Sequence, residues 1–391
     1  MAYPLEGLKV LDFSRVLAGP FAGRMLCDLG ADVVKVEPPD GDVTRYWGKE
    51  IATIPGYFHQ QNAGKRNICI DLRADGAVDL VNQLVLQADI LIENYRPDVM
   101  PRLGIGYEDL KKINPRLVML SISGFGHNGP ESRRATYAPV VHAESGLMYR
   151  MSRRSELPYH DLPLSTADTN ASLHGLVGLL SAIIMRERTG LGQHIDIAMI
   201  DATIATDDQI HYDLEDSAGT GPLGNEIWEA PFGPVLLATD FRLLFRLLTS
   251  KLNLRDPSTA DMALAEKIRV RREAVGVFID SLDTIDKFAE AMKIINVAWG
   301  EVRNPAGIEE QITIKHRKSI VQIDDRQGGT RPITQSPYRF SAAESGVRGP
   351  ASHRGEHNAE VLADWLGVPV HAYDKLLDSG ALVFDDDWKH H

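Results

Sequence analysis

Leu8–Val36 reads LKVLDFSRVLAGPFAGRMLCDLGADVVKV, and its division into three parts decides the fold. Leu8 to Phe13 predicts a buried strand. Ser14 to Pro20 is a loop leading into a helix from about Phe21 to Leu29, closed by Gly30. Asp32 to Val36 predicts a second strand, ended by Glu37 and Pro38-Pro39. A strand, helix and strand of these lengths form a βαβ unit with parallel strands and a right-handed crossover. An acid at the end of the second strand suggests a dinucleotide site. That reading requires GxGxxG in the first turn, where glycines let the backbone approach a pyrophosphate. The turn here is RVLAGPFAG, with a proline and bulky residues in the way, so dinucleotide binding is set aside.

Working outward, the alternation continues. Asn67–Leu72, Ile90–Glu93, Leu117–Ser123 and His194–Met199 read as strands; Asp75–Ala88 and Tyr107–Ile113 read as helices. The expectation is an α/β chain whose large domain is a doubly wound, mostly parallel, Rossmann-like sheet, with ligands bound beyond the carboxyl ends of its strands. Those ends carry Arg15, Asn94, Tyr95, Arg96 and Gly124-Phe125-Gly126, which suits a ligand of mononucleotide type. A glycine-rich linker, Ser217–Gly224, divides the chain. The expected domains are a large one over residues 1–215, a smaller α+β one over 225–325, and a segment over 330–391 that returns to the large domain. Thr284–Lys293 reads as a helix of the smaller domain. Ser319–Asp324 and Arg331–Gln335 read as a hairpin, and Asn358–Leu366 and Tyr373–Ser379 as closing helices.

Composition narrows the function classes. In 391 residues, 43% are hydrophobic and 25% charged, as in ordinary soluble globular proteins. The net charge of −12 argues against a nucleic-acid surface and means that an anionic ligand would need a local basic pocket. Met1–Val10 lacks the pattern of a signal peptide. The longest apolar run, Gly175–Met185, is too short to span a bilayer. Cys27 and Cys69 lack CxxC spacing; they suit a reducing cytoplasm and supply no metal or redox motif. The final Lys389-His390-His391 carries no assigned role.

Leu164–Ala202, LSTADTNASLHGLVGLLSAIIMRERTGLGQHIDIAMIDA, contains the strongest chemical candidate. Ser165 and Thr166 precede a nearly uncharged helical run from Ala171 to Met185, which Gly190 ends. The run is apolar around most of its circumference, which predicts a buried helix. Asp168 stands at its N-terminus. It is read either as a cap that satisfies free amides and complements the helix dipole, or as a carboxylate held ready to attack an electrophile.

Taken together, several segments resemble the class III CoA-transferases, the family of formyl-CoA and carnitine CoA-transferases. They are LKVLDFSRVLAGP, LGADVVKVEPPDGD with Thr44-Arg45, NAGKRNICIDL, ADILIENYRP, Arg102-Leu103-Gly104, SISGFGHNGP with Tyr137, ADTNAS with RTGLGQHIDIAM, and Arg354-Gly355-Glu356-His357-Asn358. The likeness covers nearly the whole chain and is thin between Ile227 and Asp283. It implies a transferase that moves CoA from an acyl-CoA donor to a small organic acid through a covalent intermediate on Asp168. It also implies an interlocked homodimer, with no metal, nucleic acid or membrane involved. Coenzyme A or its thioester would be held by Arg15, Val16, Leu17, Ala18, Leu72, Arg73, Asn94, Tyr95, Arg96, Arg102 and Tyr137, with Arg45, Lys65 and Arg66 nearby in sequence. Arginine suits phosphate because its planar fork donates two hydrogen bonds at once.

The chain departs from the family pattern near the expected acceptor pocket. Ala138 follows Tyr137 where an acid is usual, His142 stands where glutamine is common, and Leu17 replaces a polar residue found in some members. His142 would donate to an acceptor carboxylate or be structural. Glu144 and His127 are weaker candidates. The second-domain glycine loop has no clear counterpart; Gly219–Gly224 or Phe232-Gly233-Pro234 would replace it. Two alternatives stand beside the transferase. An acyl-CoA racemase would need a pair of bases, one of them a histidine where Tyr137 stands; a CoA-binding protein without chemistry would need none.

Overall fold

The computed structural model describes residues 2–155, 157–215, 224–368 and 370–384. Residues 219–223 and Lys389-His390-His391 lie outside them. The chain forms two compact units, Met1–Asp208 with His316–His391, and Gln209–Lys315. The boundaries expected near 215 and 325 therefore fall at 208/209 and 315/316, and the whole hairpin belongs to the larger unit.

The larger unit is built on six parallel strands: β1 (Lys9–Asp12), β2 (Asp32–Glu37), β3 (Arg66–Cys69), β4 (Ile90–Glu93), β5 (Val118–Ser123) and β6 (His194–Ala198). Their order is β3-β2-β1-β4-β5-β6. Side chains alternate between the sheet's faces, so a strand covered on both sides must be apolar at consecutive positions. Val10, Ile90, Ile92, Val118, Leu120 and Ile122 enter one core; Leu11, Leu91 and Met119 enter the other. The first core is closed by α1 (Ala18–Asp28) and the central helix, and the second by α2 (Ala77–Gln87) and α3 (Tyr107–Ile113). After β5 the chain makes a short helix, α4 (Ala138–Glu144), and later the long central helix α5 (Thr166–Thr189), ended by Gly190 at φ +75°.

Helix α5 is longer than its apolar run suggests, and it is not buried all round. Ala171, Leu176 and Leu179 face the core, whereas Val177 is 66% and Ile184 63% exposed, with Leu173 exposed beside them. The residues of the buried face carry the packing, and the remaining apolar face is left as a stripe on the surface.

The smaller unit contains the antiparallel strands β7 (Glu226–Ala230), β8 (Gly233–Leu237) and β9 (Trp299–Glu301), in the order β9-β8-β7. Its helices α6 (Phe241–Lys251), α7 (Leu264–Asp280) and α8 (Ile285–Ile295) share a core around Leu237, Leu248, Val275 and Phe288. Phe232-Gly233-Pro234 forms the turn and start of the β7–β8 hairpin. The chain then forms hairpin β10 (Ile320–Asp324) and β11 (Thr330–Thr334), followed by α9 (Asn358–Leu366) and α10 (Val370–Asp378). Trp365 of α9 donates its indole N–H to Asp32 at 2.8 Å, fastening the returning segment to β2. Among the described residues no helix is long and apolar enough to cross a membrane.

Candidate functional site

The strand order reverses between β1 and β4, where the connections leave in opposite directions and open a crevice at the carboxyl ends. A cavity of about 370 Å³ lies there. It is lined by Arg15 and Val16 after β1, Asn94–Pro97 after β4, Ser123 at the end of β5 and Gly124 after it, Tyr137 before α4, and Asp168 on α5.

The β1–α1 turn is fixed by buried polar groups rather than by glycines around a phosphate. Asn94 grips the peptide of Arg15, accepting its N–H at 2.7 Å and donating to its carbonyl at 2.8 Å. Asp42, fully buried and 3.2 Å from Lys35, accepts the N–H of Val16 at 3.1 Å. Val16 is thereby held at φ +67°, a left-handed conformation that β-branched residues rarely enter. Strain of this kind persists only where neighbours over-determine the backbone. Gly19 is required for a different reason: a Cβ there would lie 2.1 Å from the Cβ of Ser14.

The turn delivers the start of α1 to the start of α5. The backbone amide of Ala18 hydrogen-bonds to Asp168, and one turn further along α5 the hydroxyl of Ser172 donates to the Ala18 carbonyl. Asp168 is part-buried in the first turn of α5, so its position as a helix-terminal acid and its place in the cavity coincide. Burial raises its carboxyl to about 6, with the Ala18 amide and its own amide pulling the other way. It is ionised at neutral pH.

Eight of the residues singled out from sequence meet in this cavity: Asp168, Arg15, Val16, Ala18, Asn94, Tyr95, Arg96 and Tyr137. Leu17 is buried beside them as the residue before α1. Leu72, Arg73 and Arg102 lie outside it. Leu72 packs on the core, Arg73 is 82% exposed and pairs with Asp71, and Arg102 is 69% exposed and pairs with Asp98. Among the described residues neither Arg15 nor Arg96 is in an ion pair, so the cavity wall presents two guanidinium groups without a carboxylate of their own.

The other basic residues of the N-terminal half are used internally. Lys65 is buried 2.7 Å from Asp12, and Arg45 pairs with the buried Glu37. Arg66 bridges Asp32, Glu360 and Asp364. Burial pulls Lys65 down to about 8, while Asp12 keeps it charged at neutral pH.

Two residues escaped the sequence, Arg134 and Tyr57, and the weaker candidate His127 proves to be a tie between strand ends. Arg134 lines the cavity, stacked over Phe125 and paired with Glu131 and Glu144, which accounts for Glu144. Tyr57 carries a phenol raised by burial and by the negative charges of Asp168 and Asp42. Its edge-to-face contact with Trp47 joins two aromatics ten positions apart that no motif connects. His127 bridges Asp196 at 3.1 Å and Glu93 at 3.5 Å. Among the described residues no cluster of ligating side chains could hold a metal ion.

A carboxylate with little solvent, two unneutralised guanidiniums and the N-terminus of a helix make a site able to attack an electrophilic carbonyl attached to an anionic carrier. Comparison with known proteins points the same way. The model of CoA-transferase family III matches residues 5–358. The chain is 31% identical over 385 residues to the succinate–glutarate CoA-transferase of Agrobacterium fabrum, covering 92% of this chain and 95% of that one. It is 42% identical over 203 residues to the acetyl-CoA:oxalate CoA-transferase of Acetobacter aceti, covering 52% of each. A crystal structure of a CaiB/BaiF family protein from Brucella suis superposes with a TM-score of 0.77 at 31% identity, over 93% of this chain and 100% of that one.

Proposed function

The chain belongs to CoA-transferase family III, enzymes that move CoA between acyl-CoA thioesters and carboxylic acids, and we propose that Asp168 is its covalent nucleophile. The observation that carries this reading is the ionised, part-buried carboxylate in a cavity whose other charged groups include the unpaired Arg15 and Arg96.

The Asp168 carboxylate attacks the thioester carbonyl of the donor; the C–S bond breaks, leaving a mixed anhydride and CoA thiolate. The thiolate then attacks the aspartyl carbonyl, giving an aspartyl-CoA thioester and releasing the donor acid. The acceptor carboxylate attacks that thioester to form a second mixed anhydride and free thiolate. Attack of the thiolate on the acceptor carbonyl yields the new acyl-CoA and restores Asp168. No proton transfer is needed, because each nucleophile is already an anion near neutral pH. The Ala18 amide, which faces the carboxylate in the resting site, supplies a donor for the oxyanions that form there. Limited solvent access protects the anhydrides from hydrolysis.

CoA is longer than the cavity. Arg15, Val16, Asn94, Tyr95, Arg96 and Tyr137 would surround its thiol end and pantetheine arm. Leu72 and the exposed Arg73 and Arg102 would meet the nucleotide, their single exposed ion pairs being weak enough to exchange for phosphate. For the acceptor we propose a small dicarboxylic acid. Two relatives act on succinate, glutarate or oxalate, and a second carboxylate would find a guanidinium in this wall. We further propose an interlocked homodimer in a reducing, cytoplasmic setting; the exposed stripe on α5 supports the dimer, and the buried thiols of Cys27 and Cys69 suit the setting.

The test is chemical trapping. Incubation with acyl-CoA followed by hydroxylamine is expected to leave a hydroxamate on Asp168, detected by peptide mass. No adduct, with proton exchange at the α-carbon of the acyl group, would replace transfer by racemisation. Absence of both would leave only a binding protein. A panel of mono- and dicarboxylic acids against several acyl-CoA donors then reads out the acceptor class.

A further inference from the structure

We infer that His142 and Asp161 form a positioning pair that holds the first turn of α5, and with it Asp168, in the reactive geometry. The inference rests on Asp168 being the nucleophile.

Helix α5 begins without a side-chain cap from its own N-terminus: Ser165 makes no capping hydrogen bond. An uncapped helix start leaves amides unsatisfied, and where it is buried something else must receive them. Here the acceptor comes from another helix. His142 of α4 is fully buried, and its Nε2 accepts the backbone N–H of Ala167 at 3.2 Å. Ala167 is itself fully buried and immediately precedes Asp168. The hydroxyl of Thr166 meets the same nitrogen at 3.0 Å.

The donor settles the tautomer. A backbone N–H only donates, so Nε2 is unprotonated and the neutral ring carries its hydrogen on Nδ1. Nδ1 lies 2.7 Å from Oδ1 of Asp161, an acceptor that is held in turn by the Leu162 amide at 2.8 Å. Asp161 therefore fixes which nitrogen faces α5. With the hydrogen on the other nitrogen, the ring would present N–H to N–H, and the Ala167 amide would lose the only side-chain acceptor it has among the described residues.

Neither residue touches the cavity wall, so both act through Asp168. Displacement of a reacting group by about 1 Å costs on the order of 100-fold in rate. His142→Leu is therefore expected to lower kcat by about 10- to 100-fold while the Kd for CoA changes by less than about threefold. Glutamine has both an acceptor and a donor and needs no tautomer. His142→Gln is expected to keep kcat within about threefold of the parent enzyme.

The decisive measurement is a double-mutant cycle. Asp161→Leu should lower kcat in the parent chain and have no effect on kcat in the His142→Gln background. Equal losses on both backgrounds would show that Asp161 does not act through the ring, and the inference would fall. It would fall equally if His142→Leu kept full kcat. If His142→Leu does not fold, the Asp161→Leu comparison stands without it. Hydroxylamine trapping on the unmodified enzyme separates the two ideas: a missing Asp168 hydroxamate there removes the nucleophile, whereas a normal adduct with an additive cycle removes only the positioning pair.

Discussion

As the proposed nucleophile, Asp168 would trade stability for reactivity. Its carboxyl lies at 3.8 when solvated and is raised by burial to about 6 in the folded chain. A carboxyl that binds its proton more tightly when folded destabilises the native state once it ionises. The loss is absent below its solvated value and complete above about pH 6. Asp168→Asn removes it, and the variant is expected to be inactive yet about 1–3 kcal/mol more stable near pH 7. Thermal unfolding at several pH values checks this. The gain should shrink on acidification and vanish below about pH 3.5; a variant less stable than the parent at neutral pH would mean that the carboxylate is held by favourable contacts instead. Asp168 was readable from sequence because a lone acid in the first turn of an uncharged helix is conspicuous. The raised carboxyl was not, because it depends on burial in the folded chain, which the amide of Ala18, 150 positions away, only partly offsets.

Elements supply the second level, through the ties between strand ends. Glu93 ends β4, Asp196 lies in β6, and His127 in the loop after β5 joins them. Burial draws the His127 ring down, but its hydrogen bonds and ion pairs to Asp196 and Glu93 win and raise it to about 9, so it is a cation at neutral pH. Because Glu93 also accepts the Tyr95 amide at 2.8 Å, the tie reaches the loop that carries Arg96. A histidine raised from 6.5 to about 9 on folding stabilises fully below pH 6.5, and that contribution disappears as the pH climbs through about 9. His127→Ala is expected to cost about 1–2 kcal/mol at pH 6, a figure reduced for a ring that water partly reaches, and almost nothing at about pH 9.5. Denaturant midpoints at the two pH values measure it; an equal loss at both would make the histidine a packing residue. The strands themselves were legible, since ILI at 90–92 or VML at 118–120 can only be buried on both faces. The ties were not. Lys65 and Asp12 are 53 positions apart and meet at 2.7 Å, so a lysine that reads as part of a basic phosphate cluster serves instead as a buried counter-ion. His142 likewise offered a choice between substrate and structure that only Asp161 and Ala167 resolve.

At the scale of the whole molecule, the central helix carries an apolar stripe that the described residues of one chain leave exposed. Leu173, Val177 and Ile184 repeat at helical spacing on the exposed face of α5, against a net charge of −12 over the rest of the chain. Each such side chain gains about 1.5–3 kcal/mol when fully buried, and a stripe of them on the helix that carries Asp168 calls for a cover. A second copy of the chain is the proposed cover, and interlocking makes a kinetic claim as well as a structural one. Linked chains separate only if at least one unfolds, whereas chains that merely dock exchange on the timescale of dissociation. Light scattering is expected to give twice the chain mass. Two differently tagged preparations, mixed in native buffer, should form hybrids no faster than the protein unfolds, and hybrid formation should accelerate with denaturant in parallel with unfolding. A single-chain mass would remove the dimer altogether; rapid exchange between intact dimers would keep the dimer and remove the linkage. Val177→Glu places a charge in the middle of the stripe, where an unpaired buried ion costs several kcal/mol. The variant is therefore expected to accumulate as unassembled chain, because a linked pair cannot relieve the charge by letting go.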